Sequence, residues 1–467
     1  MKFRSAALLG LAALLPACGS SGADVMLDAV LISVTPASPN ANPLPTFSGR
    51  AAPGALVELF TNPTAAGVPA GTATVLSSGT FDITVSRAKP SGATFYAFST
   101  PPRASRSGPS NGLVYHCRDG GFQAAAPYAV GVQPLRMAAG FFNADAFLDL
   151  AVPAFTSNNV TILLGVGDGT FTAGTPLAGV GGSPSAVVAA DFNGDTFTDL
   201  ALGTNAANQV TIILGNGDGT FVLPGASVAL ASDSFQLTGG DLDGDGDADL
   251  VAVSLTGDSI SVLLGANDGT FTATAASPIA VGDTPSDAVL ADLGGGLPGL
   301  LVSNLATNNV TVLLNAGGGA FAAAPGSPVA AGSEPRSLAA GDFDGDGRTD
   351  MAVANSNANN VSIFLGNGSG GFAAAATPTA PTGVFPMAIR AADLDGDGRQ
   401  DLITSNFNAN TLSFLKGDGA GSFAAAAPIT VGSAPRGIVI ADFNRDGLPD
   451  VAVVNQFSDN ISVLLAK

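Results

Sequence analysis

Residues 342–355 read DFDGDGRTDMAVAN, a loop with acidic side chains at alternate positions that is followed directly by an apolar run. Related segments begin at residues 141, 191, 241, 292, 342, 393 and 442, so they recur every 49 to 51 residues. In each copy a β-branched residue or a leucine stands 11 positions after the last loop residue. In the copy that begins at residue 342 it is Val361, the first residue of the run VSIFLG. Internal repetition with such a period is typical of propellers, solenoids and other repeat folds.

Each repeat contains the pattern of four short strands and no helical periodicity. In the second repeat the first strand ends in AADF at residues 189–192, and the second begins with DLAL at residues 199–202. The third strand is VTIILG at residues 210–215, and the turn NGDGTF leads into the fourth. The Asp-Gly pair of that turn supplies the positive φ that a tight hairpin needs. Fifty residues in four antiparallel strands form one propeller blade, so seven repeats predict seven blades.

The order of the strands along the chain predicts that the blades close into a ring. The last repeat reaches Lys467 directly after its third strand and therefore lacks a fourth. The matching piece stands ahead of the first repeat, where residues 116–131 read HCRDGGFQAAAPYAVG. A fourth strand that comes from ahead of the first repeat can complete the last blade of a closed ring, but it would have no partner in an open solenoid. The expected fold is all-β, with residues 113–467 forming a seven-bladed propeller closed by an N-terminal strand.

Five of the seven loops carry oxygen-bearing side chains at loop positions 1, 3, 5 and 9. These candidate metal ligands are Asp191, Asn193, Asp195, Asp199, Asp241, Asp243, Asp245, Asp249, Asp342, Asp344, Asp346, Asp350, Asp393, Asp395, Asp397, Asp401, Asp442, Asn444, Asp446 and Asp450. Side chains in this pattern, with the backbone carbonyl of position 7, can surround one hard cation. The oxygen-only set favours Ca²⁺, which takes about six to eight ligands, over Mg²⁺. About five Ca²⁺ ions are expected, and five would bring the formal net charge from −20 to −10.

Two loops depart from this pattern. The first has Phe141 in place of the first Asp, although Asn143, Asp145 and Asp149 remain. The fourth loop is one residue shorter and keeps only its first acidic residue, Asp292. We expect weak metal binding or none in the first loop and none in the fourth.

Residues 116–467 resemble the FG-GAP/VCBS repeat proteins, seven-bladed propellers that are related to the integrin α-subunit head. The resemblance rests on the acidic loops and on their spacing. It implies structural calcium sites in these loops, and it implies adhesion or ligand binding at a cell surface. It does not identify the ligand, because one fold hosts many functions.

The start of the chain has the features of an export signal. Residues 1–17 contain two cations and then an apolar run that is too short to span a bilayer, as in a secretory signal peptide. The sequence LPAC at residues 15–18 resembles a bacterial lipobox, which implies a lipid on Cys18. Residues 18–26 would then form a tether, and the lipid anchor would be the only membrane contact. The expected location is the outer membrane or cell surface, with secretion or the periplasm as the alternative.

The segment between the tether and the repeats predicts a small separate domain. Residues 27–99 contain β-runs separated by clusters of Pro, Gly, Asn and Ser, which favours a small β-sandwich. The order FSGRAAPGALVELF, GTATVLSSGTFDITVS and ATFYAFST resembles bacterial Ig-like domains, and a spacer role is expected. Residues 100–112 (TPPRASRSGPSNG) have the composition of a linker.

The composition argues against several classes of function. A net charge of −20 gives no electrostatic basis for binding nucleic acid. One His and two Cys argue against His/Cys zinc sites. With no Trp and three Tyr, the chain also has few rings on which a lectin would stack sugars. We therefore expect no enzymatic activity. We also expect the protein to be a monomer. The alternatives are a structural component of the cell envelope and, less favoured, a carbohydrate-binding protein or a polysaccharide-acting enzyme.

A candidate ligand surface lies on the face opposite the acidic loops. Strand alternation places there the loops between second and third strands and those between blades, which are rich in Asn, Ser and Thr. Phe155, Phe385, Phe407 and Phe457 belong to these loops in neighbouring blades and could seat a segment of an extracellular protein or surface ligand. The same rings could instead plug the ends of their blades.

Overall fold

The computed structural model describes residues 121–123, 126–223 and 225–466, together with eight strand segments among residues 1–100. From residue 126 onward the described chain is all-β, and its only helix is the single 3₁₀ turn Asn205–Ala207. Seven antiparallel sheets follow one another along the sequence, one for each repeat. The predicted seven-bladed propeller is therefore confirmed.

Each blade has four strands, numbered here from the central channel outward. The first strands are Ala138–Gly140, Pro184–Ala190, Gln236–Gly240, Pro285–Ala291, Pro335–Gly341, Pro386–Ala392 and Pro435–Ala441. The second strands are Asp149–Ala154, Asp199–Thr204, Asp249–Ser254, Gly299–Asn304, Asp350–Asn355, Asp401–Asn406 and Asp450–Asn455. The third strands are Asn159–Gly165, Gln209–Ile213, Ser259–Gly265, Asn309–Gly317, Asn360–Gly366, Thr411–Gly417 and Asn460–Leu464.

The fourth strands form the outer edge and are less regular. In blades 2, 5 and 7 each is a single strand: Ala226–Ala229, Phe372–Pro381 and Ala126–Ala129. In the other four blades a second short piece also pairs with the third strand. These pairs of pieces are Phe171–Ala173 with Leu177–Ala178, Phe271–Ala273 with Ile279–Ala280, Ala320–Ala323 with Val329–Ala330, and Phe423–Ala425 with Ile429–Thr430.

A strand from the beginning of the repeat region closes the ring. Ala126–Ala129 is the fourth strand of blade 7 and pairs with the third, from Asn460 opposite Ala129 to Val463 opposite Ala126. A bridge between Phe122 and Ala466 continues this pairing. Each first strand contacts the first strands of both neighbouring blades, including blade 7 with blade 1. The closure predicted from the order of the strands is confirmed.

The hydrophobic core is divided into seven clusters, one at each interface between neighbouring blades. All residues of the second strands are buried, as expected for strands that are covered on both faces. Phenylalanines join the blades near the acidic loops. For example, Phe343 of blade 5 packs edge-to-face on Phe423 of blade 6, with ring centroids 5.5 Å apart. The Phe that follows the first loop residue therefore belongs to the packing between blades.

The N-terminal strand segments pair into two four-stranded antiparallel sheets. One contains Gly10–Ala12, Thr94–Thr100, Leu56–Phe60 and Gly71–Thr74, and the other contains Asp24–Leu27, Val30–Thr35, Thr46–Arg50 and Thr80–Thr84. The Ig-like sandwich, the signal peptide, the tether and the linker stay predictions, and Cys18 lies outside the described residues. In the part of the chain that the structure describes, no helix has the length and apolar character needed to cross a membrane.

Candidate metal centres

The first Asp of a complete loop holds the loop in a tight curve through backbone hydrogen bonds. In blade 5, Asp342 Oδ1 accepts the N–H of Gly345 at 2.7 Å, and Oδ2 accepts that of Gly347 at 2.9 Å. The corresponding carboxylates that accept N–H groups from their own loops are Asp191, Asp241 and Asp442. Gly345 and Gly347 have φ of 79° and 80°, a backbone conformation that glycine adopts without strain. The loop therefore curls around the carboxylate of position 1.

The ninth loop residue is fully buried and bridges the loop to the end of the third strand. Asp350 Oδ2 accepts the N–H of Phe343 at 2.8 Å, and its Oδ1 accepts the N–H of Gly366 at 2.8 Å. A Cβ at residue 366 would come within 2.0 Å of the carbonyl oxygen of Thr349, so this approach requires glycine. The same pair of bonds is made by Asp149, Asp199, Asp249, Asp401 and Asp450.

Three loops bring carboxylates close enough together to share a metal ion. In each, one oxygen from positions 1, 3 and 9 lies within 4.8 Å of the other two. These groups are Asp241, Asp243 and Asp249 in blade 3, Asp342, Asp344 and Asp350 in blade 5, and Asp393, Asp395 and Asp401 in blade 6. In blades 2 and 7 position 3 is an asparagine, whose amide donates to the position-5 carboxylate.

The carboxylate of position 5 is used within its own loop and is not part of these three groups. Asp346 Oδ1 accepts the backbone N–H of Arg348 at 2.9 Å, and Oδ2 lies 3.1 Å from the Arg348 guanidinium. Asp195, Asp245 and Asp446 accept the same type of backbone bond. Position 5 stays a predicted ligand, and metal binding there would require these turns to adjust.

Burial raises the pKa of the position-9 carboxyls, although their two backbone hydrogen bonds oppose the shift. The pKa of Asp450 is raised to about 6, and those of Asp149, Asp199, Asp249 and Asp350 are raised in the same direction. In blades 3 and 5 the neighbouring loop carboxylates raise the pKa further. An ionised carboxylate in such a place is costly unless a cation accompanies it. The electrostatics of the loops therefore favour a bound cation.

The two loops that depart from the sequence pattern also differ in structure. In blade 1 the ring of Phe141 is 50% exposed, while Asp149 keeps both backbone bonds. In blade 4 position 9 is Gly299, and the position that is glycine in blade 5 is Asn315. The Asn315 amide donates to the carbonyls of Pro298 and Leu242, at 3.0 and 2.8 Å. Neither loop forms a three-carboxylate group among the described residues, and the expectation of weak or absent metal binding stays a prediction.

The acidic loops of blades 1, 2, 5 and 7 are hydrogen-bonded through their backbone to the next blade. The N–H of Gly421, in the hairpin turn of blade 6, donates to the carbonyl of Phe343 in the loop of blade 5 at 2.9 Å. The turns of blades 1, 2 and 3 contact the preceding blades through Gly169, Gly219 and Gly269. Because the loop carbonyl takes part in the interface between blades, ordering a loop also orders that interface.

On the opposite face, asparagine and aspartate side chains connect the blades. Asn359 has a left-handed backbone with φ of 55°, and its Oδ1 accepts the N–H of Phe385 in the next blade at 2.7 Å. Equivalent bonds are made by Asn158, Asp258, Asn308, Asn410 and Asp459. Asn355 is fully buried and donates to Asn360 and Ser362. Many of the polar side chains expected to be available for recognition are therefore used within the fold.

Three of the four predicted patch phenylalanines form a chain of ring contacts. The centroids of Phe385 and Phe407 are 6.3 Å apart, and those of Phe407 and Phe457 are 5.5 Å apart. Phe457 is 61% exposed. Within the described propeller, Phe155 makes no ring contact with these three. The predicted patch is thus three rings across blades 6 and 7.

The arginines of the central channel were not predicted from the sequence. Arg136, Arg336 and Arg436 line its mouth on the face opposite the acidic loops, and Arg390 lines it further in. The sequence did contain a signal for these arginines, because Arg336 and Arg436 each follow the proline that begins a first strand. Few cations occur in this acidic chain, so their recurrence at one strand position was informative.

The FG-GAP-like repeat family matches six stretches of this chain. They are residues 142–202, 191–252, 241–295, 296–353, 342–404 and 393–453. Together they cover more than half of the 467 residues, and the chain therefore belongs to the FG-GAP-like repeat family. No curated protein matches the sequence significantly.

Solved structures share the propeller fold at low sequence identity. BBS1N, crystallised in complex with ARL6DN, aligns with a TM-score of 0.52 and 12% identity over 74% of this chain and 97% of that chain. A protein from Lactobacillus plantarum aligns with a TM-score of 0.50 and 18% identity over 72% and 92% of the two chains. A protein from Bacteroides uniformis, provisionally assigned as a 6-phosphogluconolactonase, aligns with a TM-score of 0.51 and 13% identity over 82% and 98%. Such likeness shows the fold and carries nothing about function.

Proposed function

We propose that this protein is a calcium-stabilised propeller for extracellular binding or adhesion. In this proposal the acidic loops hold Ca²⁺, and the opposite face recognises a protein or surface ligand. The observation that carries the metal part is the convergence of three carboxylate oxygens within 4.8 Å in each of blades 3, 5 and 6. The proposed location is the outer membrane or cell surface, through a lipid on Cys18.

Calcium suits these loops better than a transition metal does. The ligands offered are carboxylate and carbonyl oxygens, which hard cations prefer, and the described propeller contains no His or Cys. Bound Ca²⁺ would neutralise the buried carboxylate of position 9 and the two acids beside it. Through the bond from the loop carbonyl to the next blade, the same ion would stiffen the ring.

A binding role is supported over catalysis by the groups in the central channel. Its buried acid, Asp287, accepts hydrogen bonds from Ser337, Gln236 and Leu338 and so is already held by structural partners. The ring of Phe457 is exposed at the rim, in contact with the partly buried ring of Phe407, and is suited to contact a ligand. The alternative is a structural role in the cell envelope, which the observations on the metal-binding loops support equally.

The metal part is tested by thermal unfolding of the purified chain in EGTA, in millimolar Ca²⁺ and in equal Mg²⁺. We expect Ca²⁺ to raise the melting temperature by several degrees and Mg²⁺ to have little effect, because only the folded loops bind the ion. The double variant D243N/D344N should lose part of the rise, because it removes one carboxylate from each of two three-carboxylate groups. Asp292→Asn, in the loop without a carboxylate group, should keep it. An equal rise with Mg²⁺, or an unchanged rise in D243N/D344N, would contradict the assignment.

A further inference from the structure

The mouth of the central channel is basic in an otherwise acidic protein. Arg136, Arg336 and Arg436 come from the first strands, or the residues just before them, in blades 1, 5 and 7, and they line one small cavity. In blades 5 and 7 the register shifts around the arginine, which stands at a β-bulge. A bulge re-aims a side chain relative to the regular pleat. Here it places Arg336 and Arg436 at the channel.

The channel collects half of the positive side chains of the described propeller. Between residues 126 and 466 there are eight Lys and Arg residues, and four of them line the channel. The other four are Arg348, Arg399, Lys416 and Arg445. Burial and the neighbouring arginines lower the pKa of Arg436 to about 9, and burial chiefly lowers that of Arg136 to about 10. Like charges are therefore held together in a place that disfavours them.

The described residues supply too little negative charge to balance this group of arginines. Asp287 acts on Arg136, but its carboxylate already accepts three hydrogen bonds from the chain. Glu334 lies 3.7 Å from Arg336 and is itself partly exposed. Arg436 makes no ion pair with any described residue. Arg436 is therefore an unpaired cation within a cluster of partly desolvated cations. A bound anion would supply the missing opposite charge.

The three guanidinium groups lie over aromatic rings and use few of their N–H donors within the protein. Arg336 lies over the ring of Phe385 at 5.4 Å, and Arg436 lies over Phe407 at 6.0 Å. Arg136 lies over Phe235 at 5.6 Å. A guanidinium group carries five N–H donors, and a contact with an aromatic ring does not use them as hydrogen bonds to oxygen do. Arg136 and Arg336 each make a single hydrogen bond to a neutral partner, with Ser286 and Ser356, so most donors remain available.

We propose that this cavity binds the oxyanion group, a carboxylate or a phosphate, of a small ligand that enters from the face opposite the acidic loops. The inference rests on the proposed binding function and specifies the chemistry of the ligand. Guanidinium edges match the oxygens of such a group in paired hydrogen bonds. The exposed ring of Phe457, which packs edge-to-face on Phe407, would contact the rest of the ligand.

The test is isothermal titration of the calcium-saturated full chain with methyl phosphate and, separately, with succinate, at constant ionic strength. We expect at least one of them to bind, and the stronger arm identifies the oxyanion. Arg436→Met and Arg336→Met should each weaken binding about tenfold or more, because each removes charge-assisted hydrogen bonds. Arg445→Met removes the same charge from the acidic-loop face and should leave the affinity unchanged.

Binding of neither anion, or equal weakening by Arg445→Met, would overturn the proposal. Binding of a poly-glutamate peptide alone would overturn the assignment to a small ligand. Without anion, Arg436→Met should melt at the same or a higher temperature, since it removes an unpaired charge. A lower melting temperature would instead show that Arg436 serves the fold. If anion binding fails while the calcium-induced rise is intact, the proposed function survives and this inference does not.

Discussion

At the scale of single residues, one loop contains carboxylates with different roles. Asp350 is buried and holds the loop to the third strand, whereas Asp344 is partly exposed and accepts one bond from Asp346. Both belong to the same three-carboxylate group. Substituting each by the isosteric amide therefore separates folding from metal binding.

We predict that Asp350→Asn lowers the free energy of unfolding in EGTA by about 2–4 kcal/mol, because an amide cannot accept both backbone N–H bonds. Asp344→Asn should change that value by less than about 1 kcal/mol and should reduce the stabilisation by Ca²⁺. Urea unfolding with and without Ca²⁺ measures both effects. Similar losses from the two variants in EGTA would show that position 9 has no separate structural role.

The sequence predicts which residues are acidic and where they recur, but not this division of roles. The partners of Asp350 stand 7 positions before it and 16 positions after it, and only the folded blade brings them together. Blade 1 keeps the same bonds to Asp149 although its loop lacks the first Asp. This comparison identifies position 9 as part of the fold whether or not a metal binds.

At the scale of elements, the turns between second and third strands fasten each blade to the next. The side chain of Asn359 contributes through its hydrogen bond to Phe385, and its backbone contributes through the left-handed conformation. Alanine removes the bond and strains the backbone, while glycine removes only the bond. The pair of substitutions therefore resolves the two contributions.

We predict that Asn359→Ala lowers the free energy of unfolding by about 2 kcal/mol and Asn359→Gly by about 1 kcal/mol. Urea unfolding in saturating Ca²⁺ provides the comparison. Asn357→Ala, in the same turn but with only a weak side-chain bond to Ser333, serves as the control and should be nearly neutral. If alanine and glycine cost the same, the backbone conformation would carry no strain.

The register of the first strands explains why the basic channel was not predicted. Strict alternation assigns each residue of a strand to one face, but a bulge interrupts alternation where Arg336 and Arg436 stand. The aromatic patch was predicted in part, since three of its rings meet. Two of them, Phe385 and Phe407, also support arginines, a relation that requires the positions of both blades.

At the scale of the whole molecule, stability depends on the strand that closes blade 7. Ala126–Ala129 covers the outer edge of that blade, and Tyr128 packs edge-to-face on Phe171 of blade 1 with ring centroids 5.5 Å apart. Without this strand, blade 7 would expose an unpaired edge.

We predict that removing residues 1–131 lowers the melting temperature by at least about 5 °C and produces oligomers through the open edge. Removing residues 1–112 leaves the closing strand in place and should preserve both the melting temperature and the oligomeric state. Differential scanning calorimetry and light scattering measure the two properties. Equal behaviour of the two truncations would show that the ring does not depend on this strand.

The closing strand and the rest of blade 7 are synthesised at different times. Ala129 leaves the ribosome well before its partner Asn460, which stands 331 residues later in the sequence. Throughout that interval blade 7 does not exist, and the closing strand must wait unpaired. In a crowded solution of nascent chains, the free strand of one copy can complete the last blade of another. The yield of correctly folded monomer should therefore fall as the rate of synthesis rises.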